Sequence, residues 1–232
     1  MELGLLADSL GRFRKSLIRV VIVTALLWTA LYPFHNRLLS LLSRPFPQEL
    51  AFFKVTEAFY ATLKVSLYGA VFLVMPLVFA EIWRFLAPIF FRNMNRHTLP
   101  VALAASFLFY SGVAICYFIV LPRGIIFLTS YGVGQMEPLI SVDRYLTFTV
   151  AFMFGFGLSF QMPLGMLLLS QVGLVNHRML SRNRRYAILI LVIIAAVVTP
   201  TPDVYNMSLM AGPLLALYEI SIVLVWLFGK KG

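Results

Sequence analysis

Two polar side chains stand apart from the other charges of this sequence, and they are the first place to look for chemistry. Glu219 lies eleven residues before Lys230, inside the otherwise uncharged stretch Val204 to Phe228. That is about 16 Å along a helix axis, near the middle of a membrane span. Gln161 lies midway along the uncharged run Tyr145 to Asn176. A carboxylate at membrane depth is costly, and by default it marks function. The pair can hydrogen-bond or share a water-filled recess. The plain alternative is a protonated Glu219 satisfied by a neighbour and serving packing alone.

Other chemistries lack their parts. His35, His97 and His177 all fall between the apolar runs, so a Ser–His pair inside the membrane has no base. Histidines, cysteine and carboxylates do not gather at metal-ligand spacing. Cys116 is the only cysteine, which excludes an internal disulfide and any CxxC site. No GxxxxGK[ST] run offers a phosphate cradle. Gly155-Phe156-Gly157 sits in an apolar stretch and reads as a packing notch. The expectation is a protein that is not an enzyme and holds neither cofactor nor metal.

The elements that must position Gln161 and Glu219 follow from composition. The 232 residues are 61% hydrophobic and 12% charged, where a soluble domain carries about a quarter charged residues. One integral membrane domain over 1–232 is expected. A crossing takes about 20 helical residues, and charges divide the chain into six spans at 16–33, 65–82, 99–121, 146–172, 186–199 and 207–228. The fourth is too long for a straight crossing and must tilt or lie along an interface. Pro163 should kink it and free a carbonyl, while Pro76 and Pro213 can bend two others. The Pro200-Thr201-Pro202-Asp203 run ends the short fifth span.

Arg12, Arg14 and Lys15 precede the first span as in a signal peptide, but Trp28, Tyr32 and Pro33 follow it without a small-x-small site. The first helix is read as retained. Arg19, one turn into it, can snorkel. Phe34 to Leu63 reads as an amphipathic cap on the membrane face.

Net charge is +10. Thirteen of the 19 Lys and Arg fall on the side holding both termini, and six on the other. Positive-inside makes the first side cytoplasmic. The excess therefore reads as topology and attraction to anionic lipid rather than nucleic-acid binding. No internal repeat is evident, so an inverted-repeat transporter lacks its usual pointer.

Glu81-Ile82-Trp83-Arg84-Phe85-Leu86-Ala87-Pro88, with a basic stretch and Pro100 after it, resembles the first cytoplasmic loop of the TatC family of twin-arginine protein translocase subunits. Tyr117-Phe118-Ile119-Val120-Leu121-Pro122, closing the third span, and Ser141-Val142-Asp143-Arg144-Tyr145, opening the fourth, continue the likeness. Ser159-Phe160-Gln161-Met162-Pro163, Thr199-Pro200-Thr201-Pro202-Asp203 and Tyr218-Glu219-Ile220 extend it in order, from about Leu10 to Phe228.

The resemblance implies an all-α, cup-shaped bundle of six transmembrane helices whose last two are short and thin the bilayer. It implies a bacterial or archaeal cytoplasmic membrane and a receptor core that exports folded proteins bearing twin-arginine signal peptides. Export is driven by the proton-motive force. The implied partners are TatA- and TatB-type single-span proteins, the signal peptide and further copies of the chain. The rival expectations are a proton-coupled small-solute transporter centred on Glu219 and a TatC-like scaffold that does not recognise signals.

Carried over position by position, the family's signal-recognition residues fall on Arg12, Arg14, Phe85, Pro88 and Met94. Two of these depart from the pattern: Arg12 and Met94 stand where the family has acids that would pair with the signal's arginines. A third family glutamate falls on Gln161. On the other side of the membrane, Asp203 matches the family's aspartate, with Asn206 and Met207 where a glutamine follows it. Shifted acids, Glu81, Asp8 or Glu2, are one way to restore the missing charge, although Arg84 can also pair with Glu81 three residues away. A divergent signal, or a mixed complex with a complete family member, are the others.

Overall fold

The computed structural model describes residues 2–46, 50–90, 98–130, 140–198 and 204–229. Among them the structure is helical apart from short connections, and the one strand-like contact is a parallel bridge between Ala51 and Ser141. The chain divides into two compact units, one holding 1–44 with 52–107 and the other 45–51 with 108–232.

In the first unit, α1 (Glu2–Leu31) passes through a 3-10 turn at Tyr32–Phe34 into the short α2 (His35–Ser43), and α3 (Val55–Phe90) returns against both. The indole of Trp28 donates to the Leu63 carbonyl at 3.2 Å. Gly69 lets α3 approach closely, since a Cβ there would sit 3.2 Å from the Leu31 side chain. Helix α3 starts ten residues before the expected span, and so takes over part of the expected cap. The Glu57 carboxylate explains the early start: it accepts from the backbone N–H groups of Phe53 (2.8 Å) and Lys54 (3.3 Å). An acid in the first turn satisfies orphan amides and favours the positive end of the helix dipole.

The second unit receives the later part of α4 (Thr98–Ile115), which runs through a π-helical turn at Cys116–Val120 into α5 (Leu121–Ser130). Pro122 was expected to close this span, yet the helix continues past it. The π-helical turn lies just before the proline, with the Leu121 N–H bonded to the Cys116 carbonyl five residues back. Helix α6 (Val142–Ser159) is capped by the Ser141 hydroxyl, which accepts from the Arg144 N–H. The segment before α3 ties to its start, with Phe46 and Tyr145 rings 5.2 Å apart and Val142 N–H donating to Ala51 at 3.2 Å.

The long fourth span is broken, as its proline predicts: α6 ends at Ser159 and α7 (Met162–Val172) begins after Phe160 and Gln161. Gly173, at φ 85°, terminates α7 in the left-handed region that glycine adopts without strain. Asn176 caps α8 (His177–Arg182), and α9 (Arg184–Val198) and α10 (Val204–Phe228) follow. Helices α3 and α10 run through Pro76 and Pro213 without interruption.

Gly157 is the expected packing notch. A Cβ on it would lie 2.5 Å from the Phe109 ring, and one on Gly112 would lie 2.7 Å from Phe160. Among the described residues, five helical stretches are long and apolar enough to cross a membrane: Arg14–Ser43, Thr56–Leu86, Leu99–Phe127, Val142–Val172 and Met207–Phe228. The expected fifth span corresponds to α9, whose 15 residues give about 22 Å against a hydrocarbon core of about 30 Å. Large apolar side chains stay on the surface, Phe107 and Phe118 each at 73% exposure, which suits lipid and not water.

Candidate functional site

The residues of the expected recognition site that the structure describes lie on α1 and α3 of the first unit. Glu81 anchors them. It is buried on α3, its side chain 7% exposed, and three donors converge on it from two helices. Ser16 donates to Oε2 at 2.7 Å, the Arg19 guanidinium to Oε1, and Arg84 to Oε1 at 3.1 Å. A buried carboxylate left unpaired would be strongly unfavourable, and paired charges with further hydrogen bonds are what make such burial tolerable.

Arg19 therefore does not snorkel alone, as its place one turn into the span suggested. It is half-exposed and spans α1 to α3 through Glu81. Nor is Glu81 a vacant acid awaiting an incoming arginine, because its two oxygens already hold a hydroxyl and two guanidinium groups. Ser16 was not singled out from the sequence, since nothing local distinguishes it from any other serine near a helix end.

Arg14 is exposed on α1 and Phe85 lies at the surface of α3. Arg12 and Pro88 belong to α1 and α3 respectively. Met94 lies outside the described residues, as does Asp203. Asn206 and Met207 fall in the first turn of α10.

For the two residues of the intramembrane pair expected in the second unit, the structure records other partners. Gln161 sits at the break between α6 and α7, where its amide nitrogen faces the Gly157 carbonyl at 3.5 Å. Glu219 is half-exposed and accepts from Arg184 at 2.8 Å. The physical reason is the level of α9. Arg184 opens that helix, and the neighbouring Tyr218 hydroxyl donates to Leu180 of α8 at 2.9 Å, so Glu219 stands level with the α8–α9 junction and its arginines. The end of α10 is held separately by Gln171 of α7, which donates to the Phe228 carbonyl at 2.5 Å. Among the described residues, no group of three or more His, Cys, Asp or Glu is placed to hold a metal ion.

Comparison with known proteins agrees with this helix order. The profile of the family described as Sec-independent protein translocase protein (TatC) matches residues 8–213. A Sec-independent protein translocase protein TatC of Desulforapulum autotrophicum is 37% identical over 230 residues, covering 97% of this chain and 85% of the relative. One from Carboxydothermus hydrogenoformans is 34% identical over 94% of this chain and 90% of its own length. A crystal structure of the twin arginine translocase receptor TatC superposes with a TM-score of 0.78 at 32% identity, covering 94% of this chain and 98% of that one. Another, solved in DDM, gives 0.81 at 33% identity over 96% and 100%.

Proposed function

The chain belongs to the TatC family of Sec-independent protein translocase proteins, and from that premise we propose how it works within twin-arginine translocation. It is a multi-pass membrane protein that serves as the receptor subunit of this export system. The observation that carries the reading is the fold itself. The broken fourth span and the 15-residue α9 occur in a chain that superposes along nearly its whole length on the translocase receptor.

In the finer reading, the chain is not an enzyme and spans the cytoplasmic membrane six times with both termini inside. It works in a complex with single-span TatA- and TatB-type proteins and with further copies of itself, driven by the proton-motive force. The signal peptide docks on the cytoplasmic ends of α1 and α3, around Arg14, Phe85 and Pro88. Two arginines of a signal would be met best by carboxylates in bidentate geometry. This chain offers Arg12 and Met94 at the corresponding positions, so it engages an ordinary signal weakly unless a second family member completes the site.

The arginine bound to Glu219 disfavours the transporter reading. A proton-coupled site needs a carboxylate free to exchange its proton in the membrane interior, whereas this one is half-exposed and ion-paired. The test is export. The chain, co-expressed with its own single-span partners in cells lacking their TatC-type protein, should carry a folded reporter with a twin-arginine signal taken from its own host across the membrane. A reporter retained inside, despite stable insertion of the chain, would contradict the reading.

A further inference from the structure

We infer that Glu81 is a positioning residue for signal recognition, acting as an ionic staple that sets the register of α1 against α3. The inference rests on the proposed recognition role of the two helices and adds what holds them in place. Its basis is the arrangement around one buried carboxylate. Ser16 and Arg19 are three residues apart on α1, and Arg84 is three residues after Glu81 on α3. At 100° per residue, neighbours at three and four positions share a helix face.

The same periodicity extends each stripe outward. Position 12 is four residues before Ser16 and seven before Arg19, so it belongs to their face. Phe85 and Pro88 are four and seven residues after Glu81, so they belong to its face. The two helices run antiparallel, as the Trp28–Leu63 and Arg19–Glu81 ties require. Seven residues rise about 10 Å in either helix. Position 12 therefore stands level with position 88, both one staple-length beyond the Arg19–Glu81 bond.

Beyond Glu81, the Phe85–Pro88 stripe lies toward the end of α3 and position 12 lies about three turns into α1, with no other described ion pair between the two helices. Rotating α1 by one residue would turn position 12 through about 100° and take it off the face it shares with Ser16. A neutral residue at 81 would leave Arg19 and Arg84 as neighbouring like charges, which would drive the two helices apart. Glu81 thus contributes geometry to recognition rather than a contact to the signal.

The test measures geometry and binding in parallel, each with the same changes at Glu81. Spin labels at positions 12 and 87, in a full chain whose Cys116 is replaced by Ala, report the distance distribution between α1 and α3 in lipid. Signal-peptide affinity is measured in an unlabelled Arg12→Glu, Met94→Glu background, where the acids are restored. The staple predicts a narrow distribution that broadens in Glu81→Gln, together with a roughly tenfold loss of affinity. Both should return in the charge-swapped Arg19→Glu, Glu81→Arg protein, whose new Glu faces two arginines. If Glu81→Gln does not insert, Glu81→Asp supplies the comparison, with partial broadening expected.

An unchanged distribution in the neutral variant would overturn the staple. Affinity lost in Glu81→Gln and not regained by the swap would show that Glu81 touches the signal itself, and would overturn the positioning role. If the distances respond as expected but no form binds any signal peptide, the staple stands as architecture. In that outcome the recognition reading fails, and the role inferred here fails with it.

Discussion

The Glu219 carboxylate accepts a hydrogen bond from Arg184 at 2.8 Å, joining the middle of α10 to the first residue of α9. Both side chains are about half exposed, and pairs of that kind contribute about 0–1 kcal/mol. A double-mutant cycle between Arg184→Ala and Glu219→Ala, read by thermal unfolding in detergent, should give a coupling below about 1 kcal/mol. Glu219→Leu should be tolerated nearly as well as Glu219→Gln. Selective collapse of the Leu variant would restore a buried role for the carboxylate.

Gly157 and Phe109 interlock between α6 and α4 with no room for a methyl group on the glycine. Gly157→Ala should destabilise by about 1–3 kcal/mol, the usual cost of overpacking. Phe109→Leu in the same chain should recover part of the loss. Equal unfolding temperatures for parent and Gly157→Ala would show that α4 and α6 do not pack this tightly in the membrane.

The proposed topology rests on the thirteen-to-six division of basic residues. Single cysteines at positions 48 and 136 should react with an impermeant thiol reagent in intact spheroplasts. Cysteines at 93 and 183 should react only after permeabilisation. Of these four positions the structure describes Asn183 alone, at the end of α8. Labelling at 93 in intact cells would invert the proposed orientation.

Proline and glycine made much of the fold readable in advance. Pro163 marks the break in the fourth span, where it removes a helix hydrogen bond and crowds the preceding turn, whereas Pro76 and Pro213 sit within continuous helices. Gly173 ends α7 in the left-handed region, a stop that the apolar runs alone did not mark. The start of α3 was not readable from apolar runs: Glu57 and Lys64 interrupt the run, yet Glu57 itself caps the helix. The Arg184–Glu219 pair was not readable by counting back from Lys230, which ignores that α8 and α9 pack beside α10. The Arg19–Glu81 bond joins residues 62 apart in sequence, and no local pattern encodes such a pairing. It emerges only when α1 and α3 fold against each other.

Arg12 and Met94 test the account's central claim, that this chain carries the receptor frame of its family with the charge of the recognition site altered. Each arginine–carboxylate hydrogen bond in a desolvated site contributes roughly 1.5–3 kcal/mol, so two together amount to about a hundredfold or more in affinity. The measurement is the affinity of a twin-arginine signal peptide, and of its twin-lysine version, for the unmodified chain and for Arg12→Glu with Met94→Glu. Lysine keeps the charge and loses the planar fork, which separates bidentate pairing from general attraction. The account predicts weak binding by the unmodified chain, with little preference for arginine, and binding by the double variant about a hundredfold tighter and arginine-dependent. Tight, arginine-dependent binding by the unmodified chain would contradict it.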